Sequence, residues 1–104
     1  MIRYYENGRT VIKAVEFTHS TIDDVKELLD DRYIRIFHED LNHNDFLYLE
    51  YINSYYGNKH ISIAREGDWI CRSNCTTWAF DPSDFYYQEC DKSDYIWCHG
   101  INAK

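Results

Sequence analysis

Proline is almost missing from this chain: Pro82 is the single one in 104 residues, and glycine occurs only four times. So little punctuation leaves no Pro-rich or Gly/Ser-rich linker and no low-complexity stretch, and no internal repeat is present. Long apolar runs are absent as well. Nothing approaches the ~18–20 apolar residues of a membrane span. The opening Met1-Ile2-Arg3-Tyr4-Tyr5-Glu6 has no apolar block of a secretion signal, so the protein is expected to stay in the cytosol. Basic side chains are few. Eleven Lys and Arg stand against eighteen Asp and Glu, a net charge of −7. Nucleic acid is held by cations that neutralise phosphates, so direct binding to it, or to an anionic membrane, is not expected. An acidic chain suits basic partners instead, including proteins that themselves hold nucleic acid.

What the chain does have is aromatic surface. Ten Tyr accompany five Phe and three Trp, and 44% of residues are hydrophobic, ample for one folded core. At this length a single domain over 1–104 is expected, with its core over about 10–89 and the tail 91–104 as an addition. A small domain has no room to bury ten Tyr with every hydroxyl satisfied, so several must lie at the surface, where a cluster would suit a binding face. Cys71, Cys75, Cys90 and Cys98 are even in number, but a reducing compartment keeps them as thiols.

Periodicity supplies the elements. Residues 10–17 are β-branched, with Val11, Val15 and Phe17 on one face, and read as a strand. Ser20 or Thr21 caps a helix that ends near Asp31; Asp23 and Asp24 fill its first turn, and Ile22, Val25, Leu28 and Leu29 form its apolar stripe. Further strands are expected at 33–37, 46–52, 59–64, 69–72 and 76–80. Leu47, Leu49 and Tyr51 point opposite to Phe46, Tyr48, Glu50 and Ile52. Pro82 opens a short helical turn through 85–88. The sum is an α+β domain, an antiparallel sheet of about five to six short strands with one main helix packed on one face.

The stretch Arg65-Glu-Gly-Asp-Trp-Ile-Cys-Arg72, followed by Phe80, Pro82, Asp84, Phe85 and Tyr86, resembles small uncharacterised bacteriophage or prophage proteins. These carry a Gly-Asp-Trp-Ile element and a Pro-Asp-x-Phe-like element near the C-terminus. Ile12-Lys-Ala-Val-Glu-Phe-Thr18 and Thr21-Ile-Asp-Asp-Val-Lys-Glu-Leu-Leu29 are similar to their first strand and helix. Glu66 replaces the usual proline, Ser73-Asn-Cys-Thr76 replaces a glycine-bearing turn, and Ser83 splits the Pro-Asp pair. The resemblance implies a phage origin, action in the host bacterial cytoplasm and an α+β fold, and it implies no activity.

Chemical constellations are weak. His38-Glu-Asp-Leu-Asn-His43 spaces its histidines five apart, about 140° off a common helical face, so it does not make a zincin site. Cys71-x3-Cys75 has zinc spacing, but Cys90 and Cys98 do not, which leaves these four as weak metal candidates. Residues 81–91 lack the pattern of an EF-hand, and no glycine-rich phosphate loop exists. No catalytic set and no cofactor are expected. The sharper reading is an interface of acids and Tyr: Asp23, Asp24, Glu27, Asp30, Asp31, Glu39, Asp40 and Asp84 with Tyr55, Tyr56, Tyr86 and Tyr87. Asp81, Glu89, Asp91 and Asp94 could extend its field. Such a surface would serve a phage accessory protein that inhibits a host defence system in anti-CRISPR fashion. It would cover the basic nucleic-acid-binding surface of a host protein, such as a nuclease complex, and a homo-oligomer is compatible with it. The alternatives are a domain that sequesters a nucleotide signal between rings, using Arg3, Arg9, Arg35, Arg65 and Arg72, and a phage structural or assembly protein.

Overall fold

In the computed structural model the described residues are 1–8, 10–38, 46–55 and 57–99, with 96–99 as backbone alone. The elements run β1 (Arg3–Asn7), β2 (Thr10–Glu16), α1 (Ile22–Leu29), β3 (Tyr33–His38), β4 (Leu47–Tyr55) and β5 (Asn58–Arg65). They continue as β6 (Trp69–Ser73), β7 (Thr76–Phe80), β8 (Gln88–Cys90) and α2 (Lys92–His99). All eight strands join one sheet in the order β3-β4-β7-β6-β2-β1-β8, with β5 paired to β4, and every pairing is antiparallel.

This corrects the expected five to six strands, while the α+β class holds. The sheet gains β1 and β8 at one edge. β1 pairs along its whole length with β2, Arg3 opposite Ala14 and Asn7 opposite Thr10. β8 exists because β1 offers it an edge: Gln88, Glu89 and Cys90 lie opposite Glu6, Tyr5 and Tyr4, although Gln-Glu-Cys carries no strand signal of its own. The helical turn expected through Gln88 stops early. Pro82–Asp84 form one 3-10 turn, and the chain is extended by Gln88.

Alternation along the strands gives the sheet two different faces. Val15 and Phe17 of the first hairpin side, Leu47, Leu49 and Tyr51 of β4, and Ile70 of β6 point to one face, where α1 adds Val25, Leu28 and Leu29. Phe17, Val25, Leu29, Leu49 and Ile70 are fully buried there, each contributing roughly 1.5–3 kcal/mol relative to an exposed position. An isolated eight-residue helix would not persist in water, so this burial is what holds α1. α2 lies on the same face beside it, burying Tyr95 against Tyr4 at 5.3 Å between ring centroids.

Both ends of α1 are tied to the sheet. The Thr21 hydroxyl accepts from the Thr18 N–H at 2.8 Å and donates to the Glu16 carbonyl at 2.6 Å. At the other end Asp30 takes φ 51° and ψ −112°, outside the left-handed helical region and costly for a residue other than glycine. Arg72 then donates to the carbonyls of Leu28 at 3.2 Å and Leu29 at 2.8 Å, placing a cation on the negative end of the helix. Arg32, also buried, donates to the Cys75 carbonyl at 2.8 Å.

The Gly-Asp-Trp-Ile element closes the sheet from below. The N–H of Gly67, whose φ is +99°, donates to the Phe17 carbonyl at 2.7 Å, and the Phe17 N–H returns to the Asp68 carbonyl at 2.8 Å. Glu66 clasps Leu47 in the same reciprocal way, N–H to carbonyl at 2.8 Å and Leu47 N–H to its carboxylate at 3.1 Å. Asp68 accepts from the Arg65 N–H at 2.9 Å, and partial burial raises its carboxyl above the ordinary range. Ile70 enters the helical core. Trp69 turns to the other face and stacks on Phe85 at 4.3 Å with the rings 3° from parallel. The two elements that carry the phage resemblance are therefore packed on each other.

Candidate functional site

The face opposite the helices is built from rings. Its centre is small: Ala14 of β2 and Cys71 of β6 sit side by side with Ile12, all fully buried. Larger neighbours on the same face are Tyr5, Trp69, Trp78 and Phe80. Across this floor runs the segment after the Pro82 turn, laying Phe85 and Tyr87 over the small residues. Ring follows ring: Phe85 and Tyr87 stack at 5.3 Å, Phe80 lies 6.0 Å from Tyr87, and Trp78 lies 6.1 Å from Phe80.

Toward the tip of the β6–β7 hairpin the roof ends, and the rings open into a cleft of about 390 Å³. Tyr55, Trp78, Phe80 and Tyr87 form its walls, with the hydroxyls of Thr10, Ser73 and Thr76 at the tip end. Strand register puts them there, since Ser73 opposes Thr76 and Cys71 opposes Trp78. Asn74 turns the hairpin with φ 53°, doing what glycine does in a tighter turn. After the wall residue Phe80, the 3-10 turn exposes Asp81 and Asp84. The Asp81 carboxylate accepts from the N–H and hydroxyl of Ser83 at 3.0 and 2.8 Å, which holds it below the usual carboxylate range and therefore ionised. Burial pushes the Tyr87 phenol up, so its proton stays on. The cleft can stack flat or cationic groups and exchange hydrogen bonds with them; among the described residues no nucleophile–base pair lines it.

The residues expected to share one interface fall on two sides. Tyr55 and Tyr87 line the cleft, and Asp84 and the exposed Tyr86 belong to the turn and segment that cover Ala14 and Cys71. Asp23, Asp24, Glu27, Asp30 and Asp31 ride on α1 and its end, across the sheet. Asp24 binds the N-terminal ammonium at 2.6 Å, and Asp31 lies 3.7 and 3.8 Å from Arg32 and Arg72. Glu39, Asp40, Tyr56 and the Cys98 side chain lie outside the described residues, as do Arg9 and His43. The continuous face of acids and Tyr is thus corrected: strand alternation and the helix put its two halves on opposite sides.

The four-cysteine zinc set is not assembled among the described residues. Cys71 is buried between strands, its thiol pushed up by burial, Cys75 is exposed at the hairpin tip, and Cys90 belongs to β8 at the sheet edge. Cys90 instead neighbours Glu6 and Asp94, a trio whose potential ligand atoms lie within 4.8 Å of one another. The arginines do not converge either. Arg3 pairs with Glu89, Arg35 with Glu50, Arg65 sits over Phe46, and Arg72 serves α1.

Sequence reasoning picked Tyr55 and Tyr87 but missed Trp78, Phe80 and the three hydroxyls. The signal was present as the alternation Thr76-x-Trp78-x-Phe80 and Phe85-x-Tyr87. No family model matches the chain, and neither the curated proteins nor the solved structures include one similar to it. Among the described residues no helix is long and apolar enough to cross a membrane.

Proposed function

We propose that this chain acts by binding, as a phage accessory protein that covers a basic surface of a host protein, in the manner of an inhibitor of a nucleic-acid-handling defence complex. One observation carries the reading: Tyr and Trp rings line an open cleft, and the turn that follows its wall residue Phe80 carries two exposed carboxylates, Asp81 and Asp84. Aromatic anchors flanked by charge are what concentrated binding energy requires, the rings supplying contact area and the carboxylates selecting a cationic partner. The net charge of −7 favours the same partner at a distance. The phage context rests on the Gly-Asp-Trp-Ile resemblance.

A nucleotide ligand is less well served. Its phosphates need cations, and the described arginines named for that role, Arg3, Arg35, Arg65 and Arg72, are engaged at four separate places. A structural role in the virion would appear as stoichiometric protein in purified particles. The test of the binding reading is affinity capture from a host lysate at low and high salt, with Tyr87→Ala/Asp84→Lys as control. A basic protein retained at low salt, released at high salt and lost with the double variant is the expected result. Recovery of no protein, or retention indifferent to salt and to the variant, rejects it.

A further inference from the structure

We infer that the cleft walled by Tyr55, Trp78, Phe80 and Tyr87 is the seat of a single arginine side chain of the partner. This rests on the proposed binding of a basic protein and names the group that enters.

The walls are rings that meet at angles. Trp78 meets Phe80 edge to face at 84°, and Phe80 and Tyr87 are tilted by 42°, so the lining presents aromatic surface in more than one orientation. Electron-rich ring faces arranged around a cavity attract a cation, and the fold already uses this interaction on its own side chains. The guanidinium of Arg35 lies 4.4 Å from the Phe37 centroid and that of Arg65 lies 4.9 Å from Phe46. Among the described residues no cation of the chain sits over Trp78, Phe80 or Tyr87.

The rest of the lining selects further. Thr10, Ser73 and Thr76 bring hydroxyl oxygens that accept hydrogen bonds, and among the described residues no lining side chain is charged. Those lining residues offer an anion no cation. A guanidinium finds acceptors for several of its five N–H donors while its flat face lies on a ring. Lysine is served less well, because its ammonium is strongly hydrated and does not stack. Asp81 and Asp84 stand outside the cleft and orient the approach of a cation without taking its place. The volume, near the lower end of the ~300–1,000 Å³ range of ligand pockets, suits one long side chain and not a folded ligand.

The test is titration of the full chain with a capped peptide of Gly and Ser around one arginine, followed by NMR and calorimetry. Peptides with lysine or citrulline in its place are compared. The arginine peptide should shift the resonances of 76–80 and Tyr87, and citrulline should bind about tenfold more weakly. Trp78→Ala should lose the binding and Trp78→Phe should keep it. Should Trp78→Ala unfold, Tyr55→Ala replaces it, with an unchanged melting temperature as its control. Citrulline binding as well as arginine, or full binding by a folded variant lacking a wall ring, overturns the inference. Polylysine and polyarginine separate this from the broader reading. Equal binding of both at this face leaves a basic partner in place and removes the arginine seat, whereas no binding of either at this face removes both.

Discussion

The two faces of the sheet are made from the same strands by alternation, yet they are built to different ends. On one, α1 brings Val25, Leu28 and Leu29 onto Val15, Phe17, Leu49 and Ile70, with Ile2, Ile22 and Ile36 partly buried at its margin. On the other, the cover among the described residues is a short extended segment. It buries Ala14 and Cys71 but leaves Trp78, Phe80 and Tyr87 half-exposed and Tyr86 more open still. Large rings over small residues stabilise that face too, but part of each ring remains in water. The same rings are well suited to contact a second molecule. The helical side thus holds the larger buried core, and the aromatic side carries the proposed recognition.

That division can be broken by substitution, beginning with the largest effect. Leu49→Ala, fully buried on the helical side, should lower unfolding free energy by about 3 kcal/mol. Tyr86→Ala on the aromatic side should change it by no more than about 0.5 kcal/mol. Urea midpoints decide, and comparable losses would erase the distinction.

Arg72→Ala should cost about 2 kcal/mol, because two carbonyls at the end of α1 lose a charged donor in a mostly buried place. Amide exchange in α1 should quicken before that in β6. Smaller again is the coupling between Trp69 and Phe85. A double-mutant cycle with alanine at both should return about 1 kcal/mol, since their stack joins the turn element to the aromatic roof. A coupling near zero would mean that the two motif elements touch without supporting each other.

The least effect is expected from pH, with opposite signs at two carboxylates. Asp68 has a raised folded pKa, so its contribution to stability is largest when protonated and declines as pH climbs through that raised value. Asp81 has a depressed one, so its contribution is present above the ordinary carboxylate range and fades as pH falls through the lower value. Stability curves for Asp68→Asn and Asp81→Asn, each against the parent between about pH 2.5 and about pH 6, should diverge in opposite directions.

Much of this was legible in the sequence wherever a local pattern sufficed. The apolar stripe of α1, the turn at Gly67-Asp68, and the opposed faces of Leu47-x-Leu49-x-Tyr51 and Tyr48-x-Glu50 all follow from period and propensity. β1 and β8 were not legible, because Tyr-Tyr and Gln-Glu-Cys become strands only when β2 and β1 offer them an edge. The extent of the Pro82 turn was misread for a related reason: Phe85 and Tyr87 are drawn into an extended path by the floor they cover. Which acids share a side with which Tyr depends on the order of strands and the side that α1 takes. Charge counts along the chain carry no record of either.

Amide hydrogen exchange with and without a short arginine-rich peptide tests the assignment of recognition to the aromatic side most directly. Protection should appear across Thr76–Phe80 and through 85–88, with 22–32 unchanged. Protection confined to 22–32, on the acidic helix, would contradict it.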